Sequence, residues 1–230
     1  MTSKLKAGGE LFDQWPERYD SWFTTPIGAL VKKYETDLLL EMVQPREEEI
    51  ILDVGCGTGV FTRDILLRGA RVVGLDVSFP MLLQAEKKIS DQPFAAIAGD
   101  MASLPFADGS YDKVYSMTAL EFVADAARAV AELNRVARSG ATIVLTTLNS
   151  LSPWAEQRKK KAEHGHSLFQ SMIFRSPDEL LRMVPVDSIV KTAIHFQKHD
   201  NPAEIPEIEE QGMNDEKDTG AFVAVSWIKP

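Results

Sequence analysis

The sequence predicts an α/β fold, a mainly parallel sheet with helices on both faces. Three observations carry that expectation. Short apolar runs alternate with segments whose apolar residues recur at helical spacing. A glycine-dense turn, "DVGCGTG" (53–59), joins the first such run to the helix after it. The next two runs end in acids, Asp76 and Asp100. In a doubly wound sheet the C-terminal strand ends line one crevice, so the turn and both acids converge on one site.

Taken in order, 26–45 places Ile27, Leu30, Val31, Tyr34, Leu38 and Met42 on one stripe of a helix that Pro45 ends. "EEIILDVG" (48–55) is too short and too apolar for a surface helix and reads as a buried strand. A helix over 60–69 stops at Gly69. Strand 71–77, helix 79–90, strand 94–100 and strand 110–118 follow, then a helix over 125–138 closed by Gly140 and a strand at 141–149. The alternation fails after Asn149. The polar, aromatic-studded stretch 150–174 reads as an insertion. Ser176, Pro177 and Glu179 restart a helix. Strands at 187–197 and 221–228 finish the chain as an antiparallel pair, and the acidic stretch 201–220 between them reads as a mobile loop.

No linker divides the 230 residues, so one domain is expected: a lid and helix over 1–45, a core over 46–150, an insertion beside the substrate pocket over 151–175, and a C-terminal helix and strands over 176–230. Cys56 is the sole cysteine, which removes disulfides and cysteine-based metal sites. The start has no apolar core of signal-peptide type, and no stretch approaches the ~18 apolar residues of a membrane span. A cytoplasmic protein without membrane contact is expected. The formal net charge of −9 argues against a nucleic-acid partner, and the dense basic run "RKKK" (158–161) reads as a solvated helix face.

The turn itself excludes two ligands. Its glycines, Gly55, Gly57 and Gly59, are spaced G-x-G-x-G, and Val60 stands where the dinucleotide fingerprint needs a third glycine. No lysine follows, so it is not a phosphate loop. A carboxylate at Asp76 can accept both hydroxyls of a ribose, and Asp100 can accept from an exocyclic adenine amine. A nucleoside without pyrophosphate fits this crevice.

"LDVGCGTG", "VVGLDVS", "GDMASLPFADGSYDKVYSMTALEFV" and "AVAELNRVARSGATIVLTTLN" resemble, in order, the motifs of class I S-adenosylmethionine-dependent methyltransferases, most similar to the small-molecule branch of ubiquinone and menaquinone biosynthesis (methyltransferase type 11). The resemblance covers about residues 50–150. It implies a Rossmann-like seven-stranded sheet with one antiparallel strand near its edge, and S-adenosylmethionine as cofactor with S-adenosylhomocysteine as product. Gly55, Cys56, Gly57 and Gly59 would meet its methionine and ribose portions, with Asp53 supporting the loop and the amino group. Asp76 would hold the ribose, Val77 and Met81 would flank the adenine, Asp100 and Met101 would contact its amine and face, and Met117 and Thr118 would line the methionine side. "ALEFV" departs from the family's frequent "ALEHV", with Phe122 replacing a histidine.

Methyl transfer asks the protein mainly to align donor and acceptor and exclude water, and a base is needed only if the acceptor must lose a proton. The acceptor is expected to be a small molecule and the protein a monomer or homodimer. Tyr19, which the resemblance places near the methyl donor, and Glu121 after the fourth strand are the catalytic candidates. Trp22, Phe23, Glu121, Trp154 and His166 are the acceptor-side candidates, each with an alternative reading as packing, helix-start or loop residue. His164 and His166 lack further ligands for a metal. A cofactor-binding partner subunit without turnover is one alternative, and a nicotinamide oxidoreductase, ranked far lower because the glycine it needs at position 60 is missing, is the other.

Overall fold

The computed structural model describes residues 11–185 and 187–230; the first ten positions of the expected lid lie outside them. Seven strands form one sheet in the order β3-β2-β1-β4-β5-β7-β6. They are β1 (Ile50–Val54), β2 (Arg71–Asp76), β3 (Phe94–Ala98), β4 (Tyr111–Ser116), β5 (Ala137–Leu148), β6 (Ile189–Ala193) and β7 (Phe222–Ile228). Strands β1 to β5 pair in parallel. β7 runs antiparallel between β5 and β6, as the expected reversed strand near the edge.

Sheet alternation divides the core into two layers. Ile51 and Val144 face a cluster with Val31, Leu39 and Val43 of α2 (Pro26–Val43) and Ile65 of α3 (Thr62–Leu66). Leu52, Val54, Ile143 and Leu145 face the opposite cluster, where Ala129, Val130, Leu133 and Val136 of α5 (Ala126–Val136) pack. Successive strand residues point to opposite faces, so both sides are covered and the strands read as continuous apolar runs. Short α1 (Pro16–Trp22) precedes these elements, and α4 (Phe79–Lys88) lies between β2 and β3. Caps agree with the residues that start each helix: Thr25, Ser78 and Asp125 accept from the N–H three residues on. Ser176 and Glu179 form the full capping box of α8 (Pro177–Leu181).

Two expectations need correction. The stretch 201–220 holds a helix, α9 (Ile205–Asn214), rather than a loop alone. Its acids divide by face: Glu209 is buried and accepts from the N–H groups of Ile194 and His195, both at 2.7 Å, while Glu207 and Glu210 stay outside. Composition alone hid that one acid caps backbone donors of the strand end. β5 also starts earlier than expected, at Ala137 directly after α5, because Ala137 already pairs with Tyr111 ahead of a register shift. The segment after Asn149 forms α6 (Pro153–Glu163) and α7 (Ser167–Gln170) and returns to the sheet through a bridge between Asn149 and Arg175.

Candidate functional site

A cavity of about 930 Å³ opens over the C-terminal ends of β1, β2 and β4, roofed by α1 and α6. Tyr19, Trp22, Phe23, Asp53, Gly55, Cys56, Gly57, Asp76, Val77, Met81, Asp100, Met101, Met117, Thr118, Glu121, Trp154 and His166 all line it. Gly59 does not: a Cβ there would meet Ala85 Cβ and Ile89 Cδ1 at 3.3 Å, so this glycine lets the turn pack on α4. Gly57 is the reverse case. Its φ is +52° and a Cβ would meet nothing within 4 Å, so the main chain there faces open space that a ligand can fill.

The turn is held before any ligand arrives. The N–H groups of Gly55 and Cys56 donate to Leu75 O at 2.7 and 3.0 Å. Asp76 accepts from Gly57 N at 2.8 Å and Ser78 N at 2.9 Å. Burial raises its pKa against these hydrogen bonds, and each oxygen keeps a lone pair for a second donor. Asp100 accepts from Ala102 N at 2.8 Å, which fixes its loop after β3.

Asp53 sits deeper. Its Oδ2 accepts from Thr62 Oγ1 and Tyr115 OH, both at 2.6 Å, while Oδ1 is buried without a partner among the described residues. Burial pushes its pKa up to about 7 despite those two donors. An orphaned carboxylate oxygen beside a cavity lacks a donor, and a cationic group meets that need. The Cys56 thiol is pushed well up by burial and by Asp53 and Asp76, which keeps it a packing group rather than a nucleophile.

The other half of the cavity is assembled from distant segments. Burial drives Glu35 of α2 up to about 8 and Glu121 up to about 7. Glu121 accepts from Thr147 Oγ1 at 3.1 Å. Tyr19 is held above its ordinary value by burial first and by Glu35 and Glu121 next. Trp154 donates through Nε1 to Phe196 O at 2.7 Å, which fixes the base of α6. Arg158, one turn on, lines the cavity with its Nη1 buried and unpartnered among the described residues. His166 stacks on Phe169 at 4.0 Å and also keeps a buried Nδ1 without a partner.

Helix α1 is clasped over this cavity by Asp20. Its Oδ1 accepts from Thr58 Oγ1 at 2.5 Å and Lys88 Nζ at 2.7 Å, and its Oδ2 from Gln84 Nε2 at 3.3 Å. Sequence reasoning missed Asp20, Glu35 and Arg158. Glu35 carried a signal, because it stands on the apolar stripe of α2 between Val31 and Leu38. Arg158 also carried one, four residues after the aromatic Trp154.

Residues 52–145 match the family described as "Methyltransferase domain". Malonyl-[acyl-carrier protein] O-methyltransferase of Pseudescherichia vulneris is 34% identical over 145 residues, 63% of this chain and 55% of that protein. Demethylmenaquinone methyltransferase of Thermobifida fusca (strain YX) is 34% identical over 144 residues, 61% of each chain. The chain thus spans somewhat more than half the length of these relatives. Among solved structures, an S-adenosylmethionine-dependent methyltransferase of Thermotoga maritima, described as a possible histamine N-methyltransferase, superposes with a TM-score of 0.72 at 23% identity, covering 97% of this chain and 100% of that one. That likeness shows the fold.

Proposed function

We propose that this chain, whose residues 52–145 match a methyltransferase domain family, binds S-adenosylmethionine at the glycine turn and transfers its methyl group to a small-molecule acceptor. The observation that supports it most is the unpartnered Asp53 Oδ1 beside the open backbone of Gly57, flanked by Asp76 and Asp100. Asp53 would hold the amino group, Asp76 the ribose hydroxyls, and Asp100 with Met101 the adenine, between Val77 and Met81. Gly55, Cys56, Met117 and Thr118 would line the methionine portion, and Tyr19 would cover it. Gly59 would act by packing α4 beneath the turn.

When bound, S-adenosylmethionine supplies a sulfonium-activated methyl: the acceptor's electron pair forms the new bond, the S–CH3 pair returns to sulfur, and S-adenosylhomocysteine remains. The chain's own work is alignment and exclusion of water. The α1 clasp closes the cavity, and the aromatic rings of Trp22, Phe23 and Trp154 wall it. Glu121, raised to about 7 and steadied by Thr147, is placed to accept a proton from an acceptor that must lose one. The proposed unit is one chain or its homodimer in the cytoplasm. The relatives are named for different acceptors, malonyl-[acyl-carrier protein] and demethylmenaquinone.

Calorimetric titration with S-adenosylmethionine, S-adenosylhomocysteine and NADH tests this reading. Binding of the first two, lost in Asp76→Ala, with no NADH signal, is the expected result. Tight NADH binding alone would overturn it. Release of S-adenosylhomocysteine in an acceptor screen separates turnover from binding without turnover.

A further inference from the structure

The basic run 158–161 is not a uniform solvated face. Lys159, Lys160 and Lys161 are exposed and Arg158 is half-buried, but Arg158 and Lys161, three residues apart and so on one side of α6, both line the cavity, Lys161 at its rim. Arg18 of α1 and Lys198 after β6 line it too. Among the described residues none of these four cations is in an ion pair. The six lining carboxylates include Asp53, Asp76 and Asp100 on the glycine-turn side, so it is the α6 side, with Arg158 and Lys161, that presents unpaired cations. They raise the local concentration of an anion there.

We propose that the methyl acceptor carries an acidic group, a carboxylate or a phosphate monoester, held by Arg158 and Lys161 on the α6 side of the cavity. This rests on the methyltransferase reading and adds the acceptor's chemical class. The buried Arg158 Nη1 has no partner among the described residues, and a carboxylate or phosphate oxygen would supply one. Glu35 and Glu121 are near enough to be felt by Arg158, yet neither forms an ion pair with it. Burial raises Glu35 to about 8 and leaves it mostly neutral at pH 7, while Glu121, raised to about 7, keeps part of its charge, so the charge of Arg158 is offset only in part. The body of the acceptor meets aromatic walls, Trp15 and Phe169 among them, so an acid on an apolar or aromatic frame fits best.

The probes are 3-phenylpropionate and phenethyl phosphate, against 3-phenylpropionamide and 3-phenylpropylamine, titrated into protein saturated with S-adenosylhomocysteine. At least one anion is expected to bind about tenfold or more tightly than the amide and the amine. Whichever anion wins identifies the acid. Arg158→Gln is expected to erase that preference and Lys161→Gln to reduce it, with S-adenosylhomocysteine affinity held within about twofold in both. An amine that binds as well as the anions, or a preference that survives in Arg158→Gln, overturns the proposal. Should Arg158→Gln fail to fold, an undiminished preference in Lys161→Gln, an exposed position, overturns it as well. Absence of S-adenosylhomocysteine binding in the wild type would instead sink the methyltransferase reading, and the same probes would then be titrated into the unloaded protein.

Discussion

The two halves of the cavity are built on opposite plans. On the glycine-turn side, polar groups other than Asp53 Oδ1 are satisfied in advance: Asp76 and Asp100 accept from backbone N–H groups of their own or adjoining loops, and the turn is tied to Leu75. On the α1 and α6 side, Glu35 and Glu121 lie buried, Arg158 and His166 each keep a buried nitrogen without a partner among the described residues, and the four come from three stretches far apart in the chain. Preorganised dipoles suit a ligand whose shape never changes, because they cost nothing to reorient on binding. Buried, underpaired charges are expensive, and are kept where a variable partner completes them.

Each of the following tests pulls on that contrast. Asp76→Ala removes a carboxylate that both secures the turn and faces the ligand. Cofactor affinity should fall by about 2–3 kcal/mol, roughly 30- to 150-fold, read by calorimetry. Gly59→Ala strikes the same turn from beneath. Its φ of +72° and the 3.3 Å approach to Ala85 and Ile89 predict a loss of about 1–2 kcal/mol in stability, measured by urea unfolding. Cofactor affinity should hold, and a large affinity loss there would break the distinction drawn between Gly57 and Gly59.

Asp20→Ala releases the clasp on α1. The Lys88 pair is partly exposed, so about 1 kcal/mol is expected, read as roughly fivefold faster S-adenosylhomocysteine release in stopped flow. Amide exchange over residues 16–22 should quicken in the same variant, and unchanged protection would refute the clasp.

One further test depends on pH. Glu35 titrates near 4.5 when unfolded and near 8 when folded, so the native state holds more protons between those values. Its contribution to stability is present below about 4.5 and is lost progressively as pH rises through 8. Groups that set this shift are the burial itself, Arg158, Glu121 and Lys32. Glu35→Gln cannot ionise, so its melting temperature relative to wild type should be about 6–12 °C higher at pH 8.5 than at pH 5.5. Equal differences at both pH values would show that Glu35 does not carry a raised pKa.

The same contrast explains what could be read in advance. Asp53, Gly57, Asp76 and Asp100 sit at strand ends, and strand ends are set by local periodicity and turn chemistry. The loop expected at 201–220 became a helix because Glu209 found backbone donors on Ile194 and His195, a partnership between segments. Gly59 resembled its two neighbours by spacing, and only the position of α4 shows that it serves packing.

By itself the sequence determined the alternation of strands and helices, the crevice they share, and the aspartates that border it. Those features follow from 2- and 3.6-residue periods and from short-range hydrogen bonds. The tertiary structure alone decided that Glu35, Glu121, Arg158 and the Asp20 clasp meet over one cavity. Burial and long-range proximity set their charge states, and neither quantity is encoded within any one stretch of chain.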